Sequence, residues 1–282
     1  MRKALVILLS LAVVAGLVTF GAYLLSDRLA GELPFTEGCE ATVNGHSASL
    51  SLEEAENAAL ISAVSIRRGM PARAATIALA TAFQESGLRN LSGGHLDSVG
   101  LFQQRPSMGW GTVEQILDPY YSTNKFYAAL AKIDGYTSME ITDAAQRVQK
   151  SAAGQAYAQH EPDARALASS LTGHSTAAFS CAVRPDESAV AQPSALRAEL
   201  RKSFGSLTVS SNATSTAVRV SQAERGWAIA QWSVAHAKKF GLTSVTFGNQ
   251  RWTMGESRSG WQTAPDAGSG TGTVRLAFAP PA

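Results

Sequence analysis

Two short segments hold the residue types that could do chemistry: Gln84-Glu85-Ser86, read at the end of a helix, and Ser98-Val99-Gly100-Leu101-Phe102-Gln103-Gln104-Arg105-Pro106, read as part of a loop. A carboxylic acid at a helix end, beside a cleft lined by residues such as Phe83, Phe102 and Trp110, is expected to have its charged form disfavoured by desolvation. Such a group can protonate the leaving oxygen of a glycosidic bond. An isolated Glu-Ser pair on a helix is ordinarily a solvated surface feature, so the weight rests on its combination with the second segment. Asp97 is the only other acid close enough in sequence to act as a second carboxylate. Its place in Leu96-Asp97-Ser98 also suits an ordinary turn residue.

Helices must position these segments. Ser51-Leu52-Glu53-Glu54 is a capping box that opens one, with apolar positions at Ala55, Ala58, Leu60, Ile61 and Val64. Pro71 suits the first turn of the next, which carries Ile77, Ala80 and Phe83 and delivers Glu85 just before Gly87. Residues 88–108, rich in Gly and Ser, read as loop with a short β-ribbon. Helices are expected again over 112–117, 119–133, 142–153 and 161–171, with Asp118 as an N-cap before Pro119.

In order and spacing, Glu85-Ser86 and the segment from Ser98 to Gln103 with Pro106 resemble the lysozyme-like domain of lytic transglycosylases, over residues 51–171. The resemblance implies a small α-helical domain with a sugar-binding groove, Glu85 as catalytic acid, and Ser98 and Gln103 as ligands for the glycan. Such domains also carry an Ala-Tyr-Asn-x-Gly motif along the groove. Ala156-Tyr157-Ala158-Gln159 matches it only as far as Tyr157, which becomes the remaining candidate substrate contact. In these enzymes one glutamate acts first as acid and then as base, taking a proton from the muramic-acid C6 hydroxyl as it closes onto C1. No metal or cofactor is required. Arg105, Asn90 and His95 lie in the same loop and Trp110 just beyond it, with solvation or burial as their ordinary roles. His160 and His174 lack partners at catalytic spacing.

The N-terminus bears on location. Met1-Arg2-Lys3 is basic and residues 4–25 are free of charge, long enough at ~1.5 Å per residue to cross a bilayer core of about 30 Å. An uncleaved anchor is expected, with residues 1–3 in the cytoplasm and everything after Asp27 outside; a cleaved signal peptide, which has a shorter apolar run and a small-x-small site, is the alternative. The two cysteines, Cys39 and Cys181, sit near the ends of the central segment. In an oxidising exterior they are expected to form a disulfide; two buried free thiols are the alternative. The net charge of +2 gives no support for nucleic-acid binding.

The chain therefore divides, as read, into a transmembrane anchor at 4–25, a linker at 26–37, the lysozyme-like domain at 38–182, a Pro/Ser/Ala-rich linker at 183–221 and a small α+β domain at 222–282. The fold class expected is mainly α. In the tail, Gly226-Trp227-Ala228-Ile229-Ala230-Gln231-Trp232, the following strand pair and Ser259-Gly260-Trp261 resemble a distant relative of zinc carboxypeptidase domains. Metal-binding relatives carry histidines on the last strand. Here that strand has none and His236 is the only histidine of the tail, so no metal site is expected. Two functions follow: a peptidoglycan lytic transglycosylase, or a wall-binding scaffold that keeps the groove without turnover. The expected partners are glycan strands and the membrane, with any wall, division or secretion partner left unknown.

Overall fold

An antiparallel hairpin, β1 (Gly38–Val43) and β2 (His46–Leu50), turns at Asn44-Gly45, both with positive φ. That geometry matches the right-handed twist of the strands and is favoured by the Asn-Gly pair. β3 (Phe179–Ala182) pairs with the other side of β1, making a sheet of order β2-β1-β3. Cys39 and Cys181 face each other in that register and form a disulfide. Closing a loop with a sequence separation of 142 contributes roughly 5 kcal/mol on the chain-entropy model. These strands belong to a computed structural model that describes residues 35–150, 155–185, 190–264 and 272–280.

Helix α1 (Leu52–Arg67) begins at the expected capping box: Ser51 Oγ accepts from the Glu54 amide, and the Glu54 carboxylate accepts from the Ser51 amide at 2.8 Å. α2 (Ala72–Ser86) is the central helix, with every residue from Ala74 to Ala82 buried. A helix buried on all sides must be apolar all round. Alanine meets that demand while letting neighbours approach closely, and Thr81 satisfies its hydroxyl on the Ile77 carbonyl at 2.7 Å. Around α2 pack α1, α4 (Pro119–Leu130), α5 (Ile141–Gln149) and α6 (Glu161–Leu171), with the short α3 (Val113–Leu117) leading into α4. Asp118 caps α4 through the amides of Tyr120 and Tyr121.

The remaining chain builds a second, antiparallel sheet. β4 (Thr208–Ser211), β5 (Ser215–Arg219), β6 (Leu242–Phe247), β7 (Gln250–Thr253), β8 (Gln262–Thr263) and β9 (Thr273–Phe278) are ordered β4-β5-β9-β6-β7-β8. Helix α7 (Pro193–Phe204) precedes the sheet, and α8 (Ala223–Ala235) and α9 (Ala237–Phe240) follow β5. α8 packs on α1 and α6 as well as on β3, β6 and β9, and Glu37–Ala282 form one compact unit.

The expectation of a mainly α protein is thereby corrected: the molecule is mixed α/β with two sheets. The difference comes from β1, β2 and β3, and from β4 and β5, which lie within residues 183–221 that read as linker. Among the described residues no helix is long and apolar enough to cross a membrane. The anchor expected at 4–25 lies outside the described residues.

Candidate active site

Glu85 is the next-to-last residue of α2, and Gly87, in the left-handed conformation, ends the helix by returning its amide to the Phe83 and Ala82 carbonyls. The carboxyl is half-buried. Tyr157, itself 1% exposed, donates its hydroxyl to Glu85 Oε1 at 2.8 Å. No other hydrogen bond or ion pair holds the Glu85 carboxyl among the described residues. The two residues are far apart in sequence but meet because the turn before α6 folds back over the end of α2. That turn is fixed beside them: His160 stacks on Phe83 with centroids 5.6 Å apart, and His160 Nε2 and Gln159 Nε2 both bond Gln84 Oε1. Burial pushes the His160 imidazole below its ordinary range.

Ser86 joins the helix to the second segment. Its buried hydroxyl donates to the Leu101 carbonyl at 2.7 Å and to the Ala82 carbonyl at 3.0 Å. The loop is drawn into a tight return by a β-bridge between Val99 and Gln104. Gly100 has φ +81°, and a β-carbon there would stand 2.9 Å from the Ile116 carbonyl oxygen, so both conformation and space require glycine. From the other side, Gln149 donates to the Phe102 carbonyl at 2.7 Å. Neither Ser86 nor Gln149 stands out by sequence as a brace for this loop; the position of Ser86 after Glu85 was its only signal.

Ser98 is 7% exposed at the root of the loop. Gln103, half-buried with φ +44°, turns its Nε2 back onto the Gly100 carbonyl at 3.2 Å. Phe102 does not line a cleft: it is fully buried and stacks on Phe126 at 4.6 Å. Trp110 is half-buried, and its carbonyl accepts from the Tyr121 hydroxyl at 3.2 Å. Asn90 braces the loop by donating to the Leu117 carbonyl at 2.7 Å.

Asp97 is not poised as a second carboxylate. It accepts from Arg105 Nε at 2.7 Å, the Ser107 amide at 2.8 Å and the Ser107 hydroxyl at 3.0 Å. The Arg105 guanidinium first, and Ser107 second, hold its carboxyl far below the usual carboxylate range. The next acids beyond Tyr157 are also engaged: Glu161 with Arg165 at 2.7 Å, and Asp163 with His46 at 2.7 Å. The arrangement is one carboxyl, held by one phenol, across from a braced loop.

In the tail His236 is fully buried, stacked on Trp232 at 3.9 Å, with Nδ1 donating to the Trp232 carbonyl at 2.8 Å. Among the described residues no group of His, Cys, Asp and Glu could hold a metal ion. Residues 210–274 match the family model described as VldE, C-terminal domain, a stretch from β4 into β9. No curated protein matches the chain.

Proposed function

We propose that this protein is a peptidoglycan lytic transglycosylase in which Glu85 works alone, first as acid and then as base. The observation that carries the reading is the Tyr157–Glu85 hydrogen bond: it fixes one carboxyl oxygen and leaves the other to meet a substrate. A carboxyl restrained in this way can be aimed at a glycosidic oxygen without further help. Protonation of that oxygen expels the leaving sugar. The resulting carboxylate then takes the proton of the muramic C6 hydroxyl as the C6 oxygen bonds to C1, closing a 1,6-anhydro ring with no water consumed.

A two-carboxylate hydrolysis would need an acid across the scissile bond to activate water or attack C1. Asp97, the one sequence neighbour of that type, is committed to Arg105 and Ser107, which favours the single-glutamate route. Ser98 and Gln103, on the loop facing the helix end, are the proposed glycan ligands. The disulfide supports a location outside the cytoplasm, where the substrate lies. The test is to incubate the purified extracytoplasmic chain with peptidoglycan and weigh the released muropeptides. Products lighter by one water than hydrolysed ones are expected. Hydrolysed ends would replace the mechanism, and release of nothing from any peptidoglycan would leave a wall-binding scaffold.

A further inference from the structure

A groove of about 530 Å³ opens between the active-site loop, α4 and the end of α5. Lys125, Lys132, Arg147 and Lys150 line it together with Arg105 and Trp110, and no carboxylate does. Arg105 is committed to Asp97, whereas the other four cations are exposed and enter no ion pair among the described residues. Several cations elsewhere are paired, Arg165 with Glu161, Lys202 with Asp118, Lys238 with Glu37 and Lys239 with Glu56. With a net charge of only +2, the concentration of positive charge here is local and not a consequence of general excess. Like charges gathered without counter-charges repel one another and attract an anionic ligand.

Gln103 and Gln149 also line the groove. Gln149 bonds the Phe102 carbonyl, and the next carbonyl back, that of Leu101, accepts from Ser86 beside Glu85. The groove and the Glu85 carboxyl thus share one loop as a wall. In an intact strand the sugars are uncharged, because each muramic lactyl carboxyl is held as the amide that carries a stem; the negative charge lies on the carboxylates of the peptide stems. Cations beside a glycan-cleaving loop have nothing to recognise on the sugars, and they match those carboxylates.

We propose that this groove binds the carboxylates of the peptide stems and so makes the protein prefer stem-bearing over stripped glycan strands. The inference rests on the glycan-cleaving reading for its location but is tested by binding alone. The full extracytoplasmic chain is titrated into soluble, fluorescently labelled glycan strands, either carrying their stems or stripped of them by amidase with the freed lactyl carboxyls capped as methylamides. Stem-bearing strands should bind roughly tenfold more tightly at low salt. The contrast should shrink as salt shortens the ~8 Å screening length of physiological buffer. Lys132→Gln with Arg147→Gln, both exposed positions, should bring the two strand types within about twofold while leaving affinity for stripped strands unchanged.

Equal binding of the two strands by the unmodified chain overturns the proposal, and so does a contrast that survives the double substitution. Tighter binding of a phosphodiester wall polymer than of stem-bearing strands would also overturn it and give the groove to that ligand. Failure of the chain to cleave either strand, with the binding contrast intact, would remove the catalytic reading and leave this one standing.

Discussion

Glu85 and Tyr157 make a unit whose two members do different work. Under the proposed mechanism the carboxyl exchanges a proton twice in each turnover, while the phenol only holds it, so their removal should leave different kinetic signatures. Glu85→Gln preserves shape and hydrogen-bonding size and removes the proton; kcat should fall by at least ~10²–10⁴-fold with folding intact. Tyr157→Phe keeps the buried ring and deletes the hydroxyl. A mispositioned carboxyl should lower kcat by about ten- to a hundredfold with little change in KM. Asp97→Asn should fall outside this pattern, because it loosens the Arg105–Ser107 clasp without touching the proton path. Near-normal turnover in Glu85→Gln, or a loss in Asp97→Asn as large as that in Glu85→Gln, would show that the acid has been misidentified.

At the scale of elements, the α8–α9 junction holds a titratable group in apolar surroundings. His236 lies between Trp232 and Phe240, and burial first, with the nearby Lys239 charge adding to it, pushes its imidazole down to about 3 from the ordinary 6.5. Between those values the unfolded chain binds a proton that the folded chain refuses. The stability contributed by neutral His236 is therefore complete above pH 6.5 and lost as pH falls toward 3, at up to ~1.4 kcal/mol per pH unit. Denaturant unfolding from pH 7 to pH 4 should show this slope, and His236→Phe should flatten it even if the lost bond to the Trp232 carbonyl lowers stability throughout. An unchanged slope in that variant would assign the acid sensitivity to other groups.

Elements with strong local signals were legible in sequence: the Ser51 capping box, Asp118-Pro119, and the β6–β7 pair about Gly248-Asn249. β1–β2 was not read although Asn44-Gly45 announces it, because its strands are built from Ala, Ser and Thr, which alternate only weakly. β4 and β5 were hidden for the same reason inside a stretch whose Ser/Thr content resembles a linker. They become strands by pairing, β5 on β9, with Val218 buried against the sheet's core side. Glu85 could be singled out as a candidate from its type and its neighbours alone. Its contact with Tyr157 spans 72 residues, and no local pattern encodes the turn that brings the phenol back.

At the scale of the whole molecule, the decisive contacts run between the first half of Glu37–Ala282 and its tail. β3 pairs with β1 on one edge only, and an open edge buried without partners would strand its amides and carbonyls. Side chains of the tail fill that edge: Trp261 donates to the Phe179 carbonyl at 2.8 Å, Trp252 to the Cys181 carbonyl at 3.1 Å, and Ser257 bonds both the amide and the carbonyl of Val183. Gln231, fully buried on α8, accepts from the Ala178 and Phe179 amides at 2.9 and 2.8 Å and donates to the Ser170 and Ser175 carbonyls. Such a junction should make the unit unfold as one. Four of the five tryptophans, Trp227, Trp232, Trp252 and Trp261, lie in the tail, so fluorescence reports on it, while hydrogen exchange in α2 reports on the first half. Both should follow a single denaturant transition. Gln231→Ala orphans two amides and two carbonyls and should shift that common transition down by ~2–4 kcal/mol without splitting it. Two separated transitions in the unmodified chain, or a cost below ~1 kcal/mol in the variant, would mean that the tail is a lodger on the first half and not part of its core.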